Sequence, residues 1–205
     1  MWDNFKEVAR FFWKLQRPVE LALFDWEKGY WQIPTRIDQW PYLMVQDFDG
    51  KMLLNIRITF GGVAGCGSFG RPADAWKEIM QTEFDLIHIF GWVENNLFFR
   101  EKVLLTNMSA VVERSAELGV KTNDKKYSDF LGKQKFIGFL WDGEHRTVTL
   151  PRGKKEAQHK QIQKFLVPVA QFSFKDAQVL SGRCGTTLGG RIELERDVCL
   201  KGCLS

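Results

Sequence analysis

The chain has 205 residues and a formal net charge of +4, and 44% of its residues are hydrophobic. This length suffices for one buried core and a small appendage, and the composition excludes a fibrous or disordered chain. A charge this small does not by itself indicate a polyanionic ligand, because charge directs binding only where it clusters on one face.

The start of the chain and its cysteines narrow the class of protein further. Charged residues interrupt the first fifteen positions, and no later run is apolar enough to span a membrane, so we expect neither a signal peptide nor a membrane span. The cysteines have no C-x2-C spacing and no nearby histidine pair, which argues against a zinc site. We therefore expect an intracellular protein, cytoplasmic or nuclear, with free thiols at Cys66, Cys184, Cys199 and Cys203.

A helix and a strand are predicted first. Apolar residues recur at helical spacing from Trp2 to Leu15, which predicts an amphipathic helix. The apolar run 21–24 then predicts a short buried strand, and Asp25 stands at its end. A carboxylate in this position is a candidate metal ligand, although a residue that caps a turn is an equally good interpretation of Asp25 alone.

Residues 42–60 predict a β-hairpin with an Asp-Gly turn, which we expect to extend a sheet. A glycine-rich loop follows, and a helix is predicted from about Pro72 to Met80, with Pro72 in the first turn.

The glycines of this loop also fit a different class of protein. Gly65, Gly67 and Gly70 form a G-x-G-x-x-G pattern between a predicted strand and a predicted helix, which is compatible with a dinucleotide-binding fingerprint. In that alternative Glu94 is the ribose-binding acid and the protein is an oxidoreductase. The missing second βαβ half and the position of Pro72 argue against it.

Further along, residues 86–99 predict two apolar strands joined by a tight polar turn that contains Glu94 and Asn95. A helix-like segment (103–118), a charged run (119–127), a strand with a glycine turn (135–139) and a basic helix (154–166) follow. The charged run alone is equally typical of a solvated surface.

Taken in order, these segments resemble the five conserved motifs of reverse transcriptases over roughly residues 21–166, most closely those of long-terminal-repeat and tyrosine-recombinase retrotransposons. Residues 25–34 follow the D-x4-Y-x-Q-x-P form of the first motif, and Phe60-Gly61 resembles the second. Trp92, Glu94 and Asn95 stand where the third motif has an aromatic residue and two aspartates. Residues 119–127 and 135–139 resemble the fourth and fifth motifs.

The resemblance implies an α+β fold: a polymerase palm-like antiparallel sheet backed by helices, with a rudimentary thumb and little or no fingers. It divides the chain into an N-terminal amphipathic helix as a fingers remnant (1–20), a palm-like domain (21–140), the start of a thumb (141–170) and an unassigned tail (171–205).

The resemblance also implies an RNA-directed DNA polymerase and its site. Asp25 and Glu94 would bind catalytic Mg²⁺ or Mn²⁺, and Asn95 would take the third catalytic position. Because Asn95 carries no charge, we expect catalysis to be impaired. A non-catalytic nucleic-acid-binding remnant is the alternative. The implied contacts to the incoming dNTP are Tyr30, Phe60, Gly61 and Lys126, and those to an RNA/DNA primer-template are Arg71, Lys154, Lys155 and Lys160.

Overall fold

The computed structural model describes residues 2–59, 61–62, 64–167 and 171–182. Residues 174–182 are helical as well. The named helices are α1 (Phe5–Lys14), α2 (Gly29–Gln32), a 3-10 helix (Ile37–Tyr42), α3 (Gly65–Glu83), α4 (Met108–Glu117) and α5 (Arg152–Phe165).

The strands form three sheets, and every strand pair in the described residues is antiparallel. The main sheet has the order β4-β5-β1-β6, a second sheet has the order β7-β8-β9, and β2 and β3 form a separate hairpin. The bounds are β1 (Val19–Asp25), β2 (Met44–Gln46), β3 (Met52–Leu54), β4 (His88–Trp92), β5 (Asn95–Glu101), β6 (Ser128–Leu131), β7 (Lys133–Phe136), β8 (Phe139–Asp142) and β9 (Thr147–Thr149).

The main sheet is buried on both faces because its strands alternate two sets of apolar side chains. One set packs with α3 and α4 in the first core, which includes Ala22, Phe24, Phe69, Trp76, Phe98 and Val111. The other set packs with α1 and the second sheet in the second core, which includes Phe12, Leu21, Leu97, Phe99, Phe136 and Trp141. This arrangement confirms the predicted α+β fold with antiparallel sheets backed by helices.

Helix α1 confirms the first predicted element, and its start is fixed by a capping box. The Asn4 side chain accepts hydrogen bonds from the backbone of Lys6 and Glu7, and the Glu7 carboxylate accepts one from the Asn4 amide at 2.7 Å. Just before the helix, the Asp3 carboxylate accepts a 2.8 Å hydrogen bond from the Gly91 amide. Helix α1 is therefore tied to β4 and lies against the main sheet.

Helix α3 begins seven residues earlier than the sequence predicts. The predicted start at Pro72 is wrong, since the helix runs from Gly65 and contains Pro72 in its interior. Its buried residues Phe69, Ala73, Trp76 and Met80 recur at helical spacing, so burial of this stripe outweighs the poor helix propensity of the glycines.

The same helix rules out the dinucleotide-binding interpretation. Gly65, Gly67 and Gly70 all lie within α3 rather than in a loop before it. The described strands also form no parallel pair, which a dinucleotide-binding βαβ unit requires. The glycines therefore do not form the loop on which the oxidoreductase alternative depends.

The predicted hairpin of residues 42–60 is present as β2 and β3, but it does not extend the main sheet. Each strand has only three residues, and all six side chains are exposed. The expectation of a sheet extension is therefore wrong, because so short a hairpin buries none of its apolar side chains on the described part of the molecule.

The second sheet and α5 follow the main sheet. Ile137 and Gly138 both have positive φ angles in the tight turn between β7 and β8. The predicted boundary after residue 140 falls inside β8, which pairs with both β7 and β9. The second sheet therefore continues across this boundary to Thr149, and the division of the chain into domains stays a prediction. Residues 183–205 of the predicted tail lie outside the described residues.

Among the described helices, we find none long and apolar enough to cross a membrane.

Candidate functional site

The predicted acidic residues meet at the end of the main sheet. Asp25 ends β1 and is the antiparallel partner of Asn95, the first residue of β5. The Trp26 amide donates a 2.9 Å hydrogen bond to the Glu94 carbonyl, which fixes the turn beside the end of β1. The β4–β5 turn consists of Val93 and Glu94, and Val93 has a φ of 55°, an unusual conformation for a β-branched residue.

Asp25 is 1% exposed, and both of its carboxylate oxygens are engaged by the loop after α4. The Asn123 side-chain amide donates to Oδ1 at 2.9 Å, and the Lys126 ammonium donates to Oδ2 at 3.4 Å. The Asn123 backbone amide also donates to the Asp25 carbonyl at 2.8 Å. The buried carboxylate therefore receives hydrogen bonds from an amide and an ammonium of the chain itself, and these offset the cost of burying its charge.

Glu94 has a different environment, although it lies beside Asp25. Its Oε1 atom is buried and makes no hydrogen bond. Burial raises the pKa of the Glu94 carboxyl, and the Asp25 carboxylate raises it further. Backbone amides of Tyr30 and Gly29 and the Lys126 ammonium oppose this shift, but the pKa remains above its ordinary value.

Tyr30, which is predicted to contact the nucleotide sugar, is buried against helix α3. Its ring is stacked on Phe69 with 4.9 Å between the ring centroids, and its hydroxyl donates to the Cys66 Sγ at 3.3 Å. Burial, followed by the contact with Cys66, raises the pKa of Tyr30 to about 12. Only 1% of Tyr30 is exposed, so its ring is not accessible to a nucleotide in this structure.

The remaining predicted contacts are distributed over three other segments. Gly61 is exposed with a φ of 86°, and Phe60 lies outside the described residues. Arg71 is exposed on α3. The side chains of Lys154, Lys155 and Lys160 are exposed on α5, which has no buried residue. The structure therefore brings Asp25, Glu94, Asn95 and Lys126 together, whereas the roles of all these residues remain predictions.

Asn123 is the residue of this site that the sequence did not reveal. It lies in the charged run 119–127, in which the resemblance directed attention to Lys126. Its contact with Asp25 depends on the placement of this loop, where Trp26 and Thr122 form an antiparallel bridge. An Asn four residues before a Tyr in a charged run carries no signal for such a contact.

The residues of the site do not fit a pair of divalent cations. Within the described part of the chain, no three His, Cys, Asp or Glu side chains are grouped so that they could hold a metal ion. Asp25 already accepts from an ammonium and an amide, and Asn95 contributes no charge. Oxygen ligands with high negative charge are what Mg²⁺ and Mn²⁺ require, so the predicted two-ion chemistry lacks its ligands.

The fold is similar to that of the foamy viral protease-reverse transcriptase. A structure of its dRH form with double-stranded DNA matches at a TM-score of 0.63 and 17% identity, over 82% of this chain and 27% of that chain. The structure with an RNA/DNA hybrid matches at 0.58 and 16%, over 81% and 21%. A further structure with double-stranded DNA matches at 0.58 and 17%, over 82% and 32%.

This chain therefore has a reverse transcriptase-like fold, and it spans about a quarter of the length of the proteins it matches. Comparisons of the sequence with models of protein families and with curated proteins found no match.

Proposed function

We propose that this chain is a reverse transcriptase-like palm that binds nucleic acid duplex and supports little or no Mg²⁺-dependent DNA synthesis. The observation that carries the proposal is the buried Asp25 carboxylate, which is paired with Lys126 and lies opposite the uncharged Asn95. The similarity to an enzyme solved with double-stranded DNA and with an RNA/DNA hybrid supports the choice of ligand. The order of the five sequence motifs supports an origin in a retrotransposon, and hence an intracellular location.

The charge of the site is the reason to expect weak catalysis. Two divalent cations that activate a primer hydroxyl and stabilise the leaving pyrophosphate bring four positive charges together. Asp25, Glu94 and Lys126 offer two carboxylates and one ammonium, so their formal charge is no more negative than −1. Burial also favours the neutral form of Glu94, since it raises the pKa of this carboxyl. Neither ion would therefore be held firmly enough for in-line attack.

Helix α5 is the part of the structure best suited to contact a nucleic acid backbone. It contains one acidic residue, Glu156, and its side chains are exposed apart from a few partly covered ones. Lysines in such a position bind phosphates without regard to base sequence and release counterions, so the affinity falls steeply with salt. The basic residues of α5 are Arg152, Lys154, Lys155, Lys160 and Lys164.

Duplex binding tests the first half of the proposal. We expect the protein to bind a fluorescent primer-template weakly. The logarithm of the association constant should fall linearly with the logarithm of the salt concentration. The variant K154E/K155E/K160E should lose this binding. The variant K14E/K51E/K102E changes the net charge equally at exposed lysines away from α5 and should retain most of it. Binding that persists at high salt, or that survives charge reversal on α5, would contradict the proposed surface.

Primer extension tests the second half. The native chain should give little or no extension with Mg²⁺, or subsequently with Mn²⁺, on a primer-template that it binds. The variant E94D/N95D restores the charge of the third motif and should bind Mn²⁺ more tightly by calorimetry. Robust extension by the native chain would overturn the proposed loss of catalysis. Unchanged Mn²⁺ affinity in the restored variant would show that these positions do not form the assigned site.

A further inference from the structure

The contact between Lys126 and Asp25 joins an exposed side chain to a buried one. The Lys126 side chain is 58% exposed, whereas that of Asp25 is 2% exposed. The ammonium therefore reaches Oδ2 from the solvent side, while Oδ1 is covered by the Asn123 amide. A divalent cation that approached Asp25 from solvent would have to take the place of this ammonium.

The loop that carries Lys126 is fixed by several bonds, so the lysine is held near Asp25 by more than its own charge. The Asn123 backbone donates to the Asp25 carbonyl at 2.8 Å, and the Lys126 backbone donates to the Asn123 carbonyl at 3.0 Å. The Glu27 backbone donates to the Lys121 carbonyl at 2.8 Å. The Gln32 side chain contacts the backbone of Lys121 from the other side. The loop that carries the ammonium is thus held by hydrogen bonds to Asp25 at the end of β1 and to Glu27 and Gln32 shortly after it.

We propose that the Lys126 ammonium is the resident cation of this site, where it takes the position in which a divalent ion would contact Asp25. This inference rests on the proposed function. It explains how a palm of this fold balances the negative charge of its buried Asp25 without a metal ion. A lysine supplies one positive charge and its own hydrogen-bond donors, and it needs no further carboxylates. The neutral Asn95 is then compatible with a stable site.

Removal of the ammonium should open the site to a cation. In Lys126→Met, Asp25 keeps its carboxylate but loses the only charged group that donates to it in the described structure. Glu94 lies beside it, and its buried Oε1 has no hydrogen-bond partner. We expect this variant to bind a single Mn²⁺ about tenfold or more tightly than the native chain, because a neighbouring positive charge strongly opposes cation binding.

The experiment measures Mn²⁺ binding by calorimetry and by the loss of the free Mn²⁺ electron-paramagnetic signal. It compares the native chain, Lys126→Met and the matched control Lys125→Met, which removes an exposed lysine from the next position. Saturable binding by Lys126→Met alone is the expected result, and it should disappear in the double variant D25N/K126M. Equal binding by the native chain, or no difference between the two lysine variants, would overturn the inference.

Two further measurements keep the inference testable. If Lys126→Met fails to fold, Lys126→Gln retains a hydrogen-bond donor without the charge and takes its place. If both fail, refolding by added Mn²⁺ would support the inference, and failure of Mn²⁺ to restore either chain would overturn it. Duplex binding by the same variants is measured separately. Absence of duplex binding by the native chain would reject the proposed function, whereas the Mn²⁺ measurements would still decide the role of Lys126.

Discussion

At the scale of single residues, the surroundings of Glu94 favour the neutral form of its carboxyl group. Glu94 occupies a two-residue turn, it lies beside a buried carboxylate, and one of its oxygens is buried without a partner. Burial is the leading cause of its raised pKa. The folded state therefore favours the protonated form more than the unfolded state does.

This shift predicts how the free energy of unfolding depends on pH. The contribution of a group with a raised pKa is fully present below its unfolded pKa and is lost as pH rises through its folded pKa. Glu94→Gln should remove this loss, so the stability of the variant relative to the native chain should increase as pH rises above about 4, the ordinary pKa of a glutamate. Urea unfolding at several pH values measures the difference. Glu113→Gln, at an exposed position of α4, is the control, and an unchanged pH slope in Glu94→Gln would contradict the prediction.

The residues of the site also show what sequence alone can and cannot provide. The apolar run before Asp25 and the polar turn at Glu94 were sufficient to place both residues at strand ends. Their adjacency follows from antiparallel pairing of β1 with β5, as the motif order implied. The Asn123 contact could not be found, because it depends on loop placement across 98 positions of the chain. The burial of Tyr30 was also missed, since the resemblance suggested an accessible ring.

At the scale of elements, Gly143 fixes how the second sheet meets the main sheet. Its amide donates to the Gly132 carbonyl at 2.7 Å, and its carbonyl accepts from the Val19 amide at 3.1 Å. A Cβ atom at this position would lie 2.2 Å from the Val19 carbonyl oxygen. The clash is with backbone, which has no side-chain freedom to relieve it.

Gly143→Ala should therefore lower the free energy of unfolding by about 1 to 3 kcal/mol or more. Gly67→Ala is the matched control, because a Cβ there meets nothing within 4 Å and the residue is helical. The control should raise stability by roughly 0.5 to 1 kcal/mol, since alanine is the better helix former. Denaturant titration of both variants measures the two effects. Equal effects at the two glycines would refute the described approach of Gly143 to β1.

Elements were predicted well where periodicity and turn chemistry agreed, as in α1 and in the β4–β5 hairpin. They were predicted poorly where the two signals conflicted. In α3 the glycines suggested a loop and Pro72 suggested the start of the helix, although Phe69, Ala73, Trp76 and Met80 already formed a helical stripe. Tertiary burial decided that conflict in favour of the stripe, which no local propensity could have shown.

At the scale of the whole molecule, the two cores share one sheet. Leu21 and Leu97 of β1 and β5 belong to the second core, while Ala22 and Phe98 of the same strands belong to the first. Loss of packing on one face therefore removes support from strands that the other face also needs. We expect the described sheets and helices α1, α3 and α4 to unfold together.

Phe12→Ala tests this coupling from the face opposite to α3. Phe12 is 2% exposed and meets the rings of Phe99 and Trp141 edge-on. Its truncation should cost about 3 to 5 kcal/mol and shift a single denaturation transition to lower urea. Phe48→Ala, at a fully exposed position, should change stability by no more than about 0.5 kcal/mol. Separate transitions by circular dichroism and by tryptophan fluorescence would contradict the coupling.

The central position of β1 also has a consequence for how the chain is made in a cell. Asp25 pairs with Asn95 and Leu23 with Ser128, so β1 leaves the ribosome long before either neighbouring strand exists. Its two edges and its apolar faces are open during that interval, and an open strand edge readily pairs with other chains. Pairing over such sequence distances is also slow. Yield of the folded protein should therefore rise when a nascent-chain chaperone is added, because the chaperone covers β1 until its partner strands have been made.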